Sequence, residues 1–454
     1  MRIRIKSTYE SLIRGDRKVL LCILIFFFII RLGVVIWGGQ KDFEGADSKS
    51  YNNFALAITK NFDWLKNPHF AGSYRAPFYP FLIAAVYLIF GIQNSLAVYV
   101  VQALLSTLTC LFVYRLARRT LGEKVAVFSL IWAGFYIFYI HYSRMLLRET
   151  LIFFLVIVLF DTLYVYFTQK EKRKCRFWIA CLIYTALYLT DPRYLFFLPF
   201  FGFLFLFYFP FRRGVVRYAG FILVSLALLV PWQVRNFITY DGFVLINTRT
   251  LDLSPKKGTL KAEGWIARKI LFLGPITECG PDRENRPENR RYPSEEERVL
   301  IKAGFNPKNR LEAEVKAIRK NVYPATTFLG RKWYNFKEFW RPLRFKGDYR
   351  PCPDCRFVAW NFWHNLIFIV WYGILLPFMI VAVVKLIRVK NRNVWFLLFP
   401  LIVQNLLHVL QWAWTRYRNP VDCFIIILAG FGVVYTVEKT AGWMKAKKSG
   451  STFS

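Results

Sequence analysis

The sequence predicts an all-α polytopic membrane protein of about ten transmembrane helices, and three observations predict it. Of its 454 residues, 56% are hydrophobic and 19% aromatic, and mean hydropathy is +0.31. Apolar runs such as 19-VLLCILIFFFII-30, 151-LIFFLVIVLF-160 and 424-FIIILAGFGVV-434 recur from end to end, which a soluble core does not require. The runs are continuous rather than alternating, which excludes a membrane β-barrel.

The elements follow in chain order. Six basic residues (Arg2, Arg4, Lys6, Arg14, Arg17, Lys18) precede the first apolar run, and 37-WGGQKDFEGADSK follows it with no small-residue cleavage site. That pattern predicts an uncleaved first helix over 19–37. Further spans are expected over 96–116, 125–140, 150–167, 177–190, 194–211, 215–232, 366–386, 394–410 and 421–437. The run 177–211 is too long for one crossing of ~30 Å of hydrocarbon at ~1.5 Å per residue. It is divided where 190-TDPR-193 favours a turn. The run 80-PFLIAAVYLIFG-91 is too short to cross and reads as an interfacial helix.

Charge decides the sidedness. The clusters 115-RLARRTLGEK-124, 170-KEKRKCR-176, 212-RRGVVR-217, 385-KLIRVKNR-392 and 445-KAKK-448 all fall on the side of the basic N-terminus, provided that 80–91 does not span. The positive-inside rule favours that arrangement, with both termini cytoplasmic. The net charge of +35 then belongs to a face against anionic lipid. Its dispersal, without a recognisable motif, speaks against nucleic acid. Three regions are expected: an N-terminal transmembrane module over 1–233, with an outer loop 38–79 and the interfacial helix 80–91; a small outer domain over 234–365; and C-terminal transmembrane helices with a cytoplasmic tail over 366–454. Within the outer domain, Ser294–Glu297 has capping-box spacing, and 326-TTFLGRKWYNFKEFW-340 has aromatics at helical spacing suited to the bilayer surface.

Ionisable side chains gather where the helices open outward: Asp47, Arg144, Arg148 and Glu149, Asp191 and Arg193, Arg235, and Arg416 and Arg418. Any one of them could be a surface anchor; together on one face they fit a pocket better. Guanidinium forks match phosphate oxygens, and a carboxylate can take a hydroxyl proton or hold a cation. The outer side lacks cytoplasmic nucleotide sugars, so a phosphate-bearing donor there is most plausibly a lipid, such as a polyprenyl-phosphate sugar.

The stretches 45-GADSKSYNNFALAI and 74-YRAPFYPFLIAAVYLIFG resemble the first outer loop of the membrane-embedded C-type glycosyltransferases. The resemblance is to the branch of the protein O-mannosyltransferases and the lipid A aminoarabinose transferase. There an Asp follows the first helix, a Tyr follows four residues later, and an R-x-P-x-Y-P-like element precedes an interfacial helix. Asp47, Tyr51, Arg75, Pro77, Tyr79 and Pro80 occupy those positions. The stretch 143-SRMLLRETLIFF resembles the second outer loop and puts Glu149 on its acidic position, while 189-LTDPRYL, 231-PWQVRNF and 416-RYRNPV resemble later landmarks.

The resemblance implies transfer of a monosaccharide, hexosyl or pentosyl, from a polyprenyl-phosphate donor to a lipid, glycan or protein acceptor on the outer face of a bacterial inner or archaeal plasma membrane. Asp47 would be the base or acceptor-orienting carboxylate and Glu149 the second catalytic acid. Arg75, Arg193, Arg235, Arg416 and Arg418 would be candidates for the donor phosphate. Tyr51 and Tyr74 could stack on sugar or lipid, or serve packing. In the first loop the acidic pair often seen in the family is here Asp47-Ser48, which weakens a two-carboxylate metal site. No metal ligands are assigned, and a divalent cation is left open.

Other signals are weaker. Asp161, inside a span, requires a partner on a neighbouring helix. His141 and His408 end spans on the outer side and read as hydrogen-bonded interfacial residues. A single 352-CPDC-355 favours a local disulfide over zinc, which needs four ligands. The alternative function is a transporter or a non-enzymatic envelope protein. A transporter would show matching interrupted halves and midplane charges, and the charges here sit at the outer ends.

Overall fold

In the computed structural model, which describes residues 17–37, 46–60, 75–240, 243–247, 252–253, 328–341, 366–410 and 415–448, the apolar runs are helical. Helix α1 (Arg17–Trp37) is followed by α2 (Ala46–Lys60) and the apolar α3 (Phe78–Phe90). The 13 residues of α3 reach about 20 Å at ~1.5 Å each, short of a ~30 Å hydrocarbon layer. Gly91, at φ 104°, ends the helix in a conformation open to glycine. Helix α4 (Ser95–Leu121) then starts from Asn94, whose side chain accepts from the Ala97 amide.

The expected span 125–140 is not one straight helix. It is α5 (Glu123–Phe135) and α6 (Ile137–Ser143), bent by 45° at Tyr136. No proline causes the break; a buried arginine stabilises it. Arg31 of α1 donates to the carbonyls of Gly134 (3.0 Å) and Ala133 (3.4 Å) at the end of α5, where regular helical bonding stops, and to Ser106 Oγ (2.8 Å). Gly134 is required beside it, because a Cβ there would overlap the Phe27 ring.

Helix α7 (Glu149–Thr168) is the most enclosed span, packed against α4 and α8 (Arg173–Thr190). Its Asp161 is fully buried and pairs with Arg119 and Arg115 of α4. The expected partner for Asp161 is therefore a pair of charges, as a buried carboxylate demands. The predicted division at 190-TDPR-193 is present. Helix α8 stops at Thr190, Asp191 accepts from the Arg193 amide, and a 3-10 turn over Pro192–Phe196 leads into α9 (Phe197–Tyr208). Helices α10 (Phe211–Ala227) and α11 (Val230–Tyr240) follow. Helix α11 carries helical structure seven residues beyond the expected boundary at 233.

The segment 234–365 lies mostly outside the described residues, including Ser294–Glu297 and the CPDC motif. Its described residues include a two-residue antiparallel ladder, β1 (Phe243–Val244) with β2 (Asp252–Leu253). Helix α12 (Phe328–Trp340) realises the expected aromatic helix and leaves a stacked Trp333–Phe336 pair exposed. The chain returns through a π-helical turn over Ile369–Gly373 into α13 (Leu375–Arg388), then α14 (Asn393–Leu410), the short α15 (Thr415–Arg418), a 3-10 turn over Asn419–Val421 and α16 (Asp422–Lys448). Between helices in lipid, close approach replaces the hydrophobic drive. Gly432 of α16 lies against the Phe378 carbonyl of α13, where no Cβ fits, and Gly430 lies against Phe128 and Ser129 of α5.

Seven helices among the described residues are long and apolar enough to cross a membrane, or eight with α5–α6 as one bent span, against about ten expected. The other two expected spans are helical but differ from the rest in charge or length. Helix α8 has Arg173, Lys174 and Arg176 in its first turn, and Pro192–Tyr208 is short. Both are built into the bundle through α7 and α10.

Candidate functional site

Two carboxylates open helices at one end of the bundle. Asp47 lies in the first turn of α2, and Glu149 is the first residue of α7, both placed where the helix dipole favours an anion. Arg416 of α15 joins them: its Nε bonds Glu149 Oε1, and its Nη2 lies 3.4 Å from Asp47 Oδ2. Arg75 holds the other oxygen of Asp47 at 2.5 Å and also bonds Ser50. Asp47 therefore sits in a fork between Arg75 and Arg416, brought together from three distant segments.

Tyr51 lies one helical turn after Asp47 and fixes the floor. Its ring carries the Arg75 guanidinium at 5.0 Å and meets Tyr79 edge-on, with centroids 5.0 Å apart. Tyr79 in turn donates to Gln102 Oε1 (2.8 Å), and Gln102 Nε2 donates to the carbonyls of Ser143 (3.1 Å) and Met145 (2.8 Å). Gln102 thus ties α3 to the loop that leads into Glu149. A second bond, Tyr87 to Asn52 Oδ1 at 2.7 Å, locks α2 onto α3.

A second group adjoins the first. Asp191 is gripped by Arg193 through both carboxylate oxygens and by Arg148 at 3.2 Å. Arg193 lies 4.0 Å over the ring of Tyr417. The two groups meet through the neighbouring residues Arg148–Glu149 and Arg416–Tyr417. Four arginines (75, 148, 193, 416) face three carboxylates (47, 149, 191), which leaves one positive charge in surplus.

The electrostatics separate the acids. Burial pushes the Asp47 carboxyl up, but Arg75 and Arg416, with Arg148 farther off, outweigh it and hold it below the usual carboxylate range. Burial acts likewise on Asp191, and Arg148 and Arg193 hold it well below that range. Burial raises the Tyr51 phenol despite Arg148 and Arg75. The Asp47 side chain is 39% exposed and that of Glu149 is 4%, so Asp47 is the carboxylate a bound molecule can reach. The buried Tyr51 hydroxyl, Glu149 Oε2 and Arg148 Nε lack hydrogen-bond partners among the described residues, so the cluster keeps capacity for further polar contacts.

The structure brings Asp47, Tyr51, Arg75, Glu149, Arg193 and Arg416 together. It does not bring in Arg418, which is wholly buried against Asp422 (2.9 Å), the Phe339 carbonyl (3.2 Å) and the Tyr372 ring (3.3 Å). Arg235 sits on α11, bonded to Asn236 Oδ1 at 3.1 Å and 5.0 Å from the Trp232 ring. Tyr74 lies outside the described residues. Gln102, Arg148 and Asp191 were not among the assigned site residues. A lone Gln within an apolar span was the available signal for Gln102.

Among the described residues no three His, Cys, Asp or Glu side chains gather, and Arg416 stands between the two carboxylates that a cation would bridge.

Residues 74–234 match the model of the dolichyl-phosphate-mannose-protein mannosyltransferase family. No curated protein sequence matches the chain. Among solved structures, the archaeal oligosaccharyltransferase AglB from Archaeoglobus fulgidus, in complex with an inhibitory peptide and a dolichol-phosphate, matches with a TM-score of 0.55 at 13% identity, covering 96% of this chain and 52% of that one. The oligosaccharyltransferase of the same organism tethered to an acceptor peptide matches at 0.55 and 13%, covering 93% and 50%. Its complex with Zn and sulfate matches at 0.52 and 13%, covering 92% and 49%. The chain spans about half the length of these structures. It has the fold of the membrane-embedded C-type glycosyltransferases, as its outer-loop motifs implied.

Proposed function

We propose that this multi-pass membrane protein is a glycosyltransferase that moves a monosaccharide from a polyprenyl-phosphate donor to an acceptor at the membrane face carrying Asp47. The observation behind it is the arginine fork around an accessible carboxylate: Asp47 between Arg75 and Arg416, with Glu149 behind. The surplus positive charge suits a lipid phosphate, with Arg75, Arg193 and Arg416 as its candidates. Arg418 is wholly buried beside Asp422 and the Phe339 carbonyl, out of reach of a bound phosphate, and is left out of that role. The family match over 74–234 and the dolichol-phosphate bound by AglB support a lipid-linked donor.

In this reading the acceptor oxygen attacks the anomeric carbon, the carbon–oxygen bond to phosphate breaks, and polyprenyl phosphate leaves. Arginines offset the charge gained by the leaving phosphate, so no general acid is required. Asp47 accepts a hydrogen bond from the acceptor hydroxyl and receives its proton as the new bond forms. Its depressed pKa makes it a modest base, so orientation of the nucleophile is the larger part of its work. Glu149 holds Arg416 in place.

The three-part organisation, a catalytic module over 1–233, an outer domain over 234–365 and the remaining helices over 366–454, and the outward orientation of Asp47 belong to the same proposal. Purified protein mixed with radiolabelled polyprenyl-phosphate sugars and a membrane extract should transfer label. No transfer from any such donor rejects the reading. A cysteine placed at the exposed Gln93 should react with a membrane-impermeant thiol reagent from outside and one at Gly122 should not; the reverse result inverts the site.

A further inference from the structure

The opposite end of the bundle holds a second charged constellation that the transferase reading does not use. Helices α10 and α11 run as one span, Phe211–Thr239. Trp232 near its far end meets Phe81 of α3, the helix of Tyr79, so its first turn lies away from Asp47. There Arg212, Arg213 and Arg217 line a cleft of about 330 Å³ with Val216. Arg217 lies 4.1 Å from the centre of the Phe209 ring, and Arg173 of α8 lies 5.0 Å from the same ring. Four guanidiniums therefore gather around one corner, and none of them forms an ion pair among the described residues.

Arginines that merely mark a membrane edge keep their donors in water. Arg217 does not: its Nη1 is buried with no hydrogen-bond partner among the described residues. Arg212 and Arg213 also occupy the first turn of α10, where the helix dipole disfavours cations, and Pro210 offers no side-chain cap. An anion bound in the cleft would resolve two of these conditions, the unpaired charges and the uncapped turn, while Phe209 and its surroundings hold the Arg217 guanidinium in place. The wall of the cleft points to its source. Val216 and, two turns along the same face of α10, Leu223 are both exposed and apolar, a track that acyl chains can follow while a headgroup sits among the arginines.

We infer that this cleft binds the phosphate headgroup of an anionic phospholipid in the leaflet opposite the Asp47 cluster. The inference stands independently of the transferase reading, since it is tested by lipid retention and not by sugar transfer. The test is native mass spectrometry of the full chain with phosphatidylglycerol, phosphatidylcholine or inorganic phosphate added. Wild-type protein should retain phosphatidylglycerol in preference to phosphatidylcholine, and inorganic phosphate should not displace it. Arg212→Gln and Arg213→Gln alter exposed side chains, so folding is not at risk. Each should lower retention about fivefold, as expected for one arginine at an anionic surface. Arg217→Gln should lower it at least as much, with partial recovery in Arg217→Lys. Equal retention of both lipids, unchanged retention in the Arg212 and Arg213 variants, or displacement by inorganic phosphate would each overturn the inference.

Discussion

Arg416 and Arg418 stand two residues apart in 414-WTRYRNP-420, yet they belong to different kinds of network. Arg418 is sealed in: Asp422 one turn along the chain, the Phe339 carbonyl and the Tyr372 ring take up its guanidinium, and Tyr136 donates to the second oxygen of Asp422 at 2.6 Å. Both charges are essentially inaccessible. Arg416 bridges two carboxylates from distant segments, one of them open to bound molecules. A closed network fixes the bend at Tyr136 and the return of the chain. An open one can exchange partners during a reaction. Similar residues are thus divided, under the proposed function, between architecture and chemistry by what surrounds them.

The largest effect should come from Asp47→Asn, which keeps shape and removes charge. Loss of a general base or orienting carboxylate costs ~10²–10⁴-fold in rate, while binding of labelled polyprenyl-phosphate sugar should persist, because the arginines remain. Normal turnover in this variant would eliminate Asp47 as the working carboxylate and turn attention to Glu149.

The comparison itself is broken or sharpened by apolar replacement. Arg418→Ala leaves Asp422 charged and buried, and should cost about 3–5 kcal/mol of stability, read as a lower thermal midpoint in detergent. The triple variant Arg418→Met, Asp422→Leu, Tyr136→Phe should recover most of it, with transfer largely intact, because a structural pair can be exchanged for packing. Arg416→Met with Glu149→Leu should fold and transfer nothing. Transfer by the second variant, or lasting inactivity of a stable triple variant, would erase the distinction.

Much of this was legible in the sequence because the signals were local. The Asp-Pro turn after Thr190, the short apolar run before Gly91 and the Asp-x-x-x-Tyr spacing of α2 each lie within a few residues. The bend at Tyr136 was not legible, since the groups that hold it, Arg31 and Asp422, lie far from it in the chain and no proline announces it. The split between Arg416 and Arg418 depends on Asp47, Glu149, Phe339 and Tyr372, all contacts made only by folding. Asp191 was visible as a charged residue at a turn, but its grip on Arg148 across α7 and α8 was not.

Gln102 should give a smaller effect, through position. Gln102→Leu preserves the volume of α4 but frees the carbonyls of Ser143 and Met145 and the hydroxyl of Tyr79. Turnover should fall about tenfold, the order a lost neutral hydrogen bond with an unsatisfied partner implies. Donor binding should change little. Gln102→Glu keeps an acceptor for Tyr79 but turns a buried carboxylate oxygen on the Ser143 and Met145 carbonyls, and should give no recovery. Equal turnover in Gln102→Leu and wild type would mean that the loop before Glu149 is held by packing alone.

The smallest effect is a displacement along the pH axis. The Asp47 carboxyl lies below its ordinary value of about 3.9 because the attraction of Arg75 and Arg416 exceeds the penalty of burial. A depressed folded-state value means that the ion pairs contribute fully above the unfolded value and are lost as pH falls through the folded one. Wild-type transfer should therefore hold through mildly acidic pH, with its Asp47-dependent acid limb below the usual carboxylate range. Arg75→Gln removes the partner closest to Asp47 and should move that limb to higher pH, while the plateau at neutral pH falls only by the share of donor binding that Arg75 supplies. Asp191 is held low by other arginines, Arg148 and Arg193, so Arg75→Gln should leave the acid dependence of thermal stability that Asp191 contributes unchanged. A shift in stability without a shift in the rate profile would place Arg75 in the scaffold and not in the fork around Asp47.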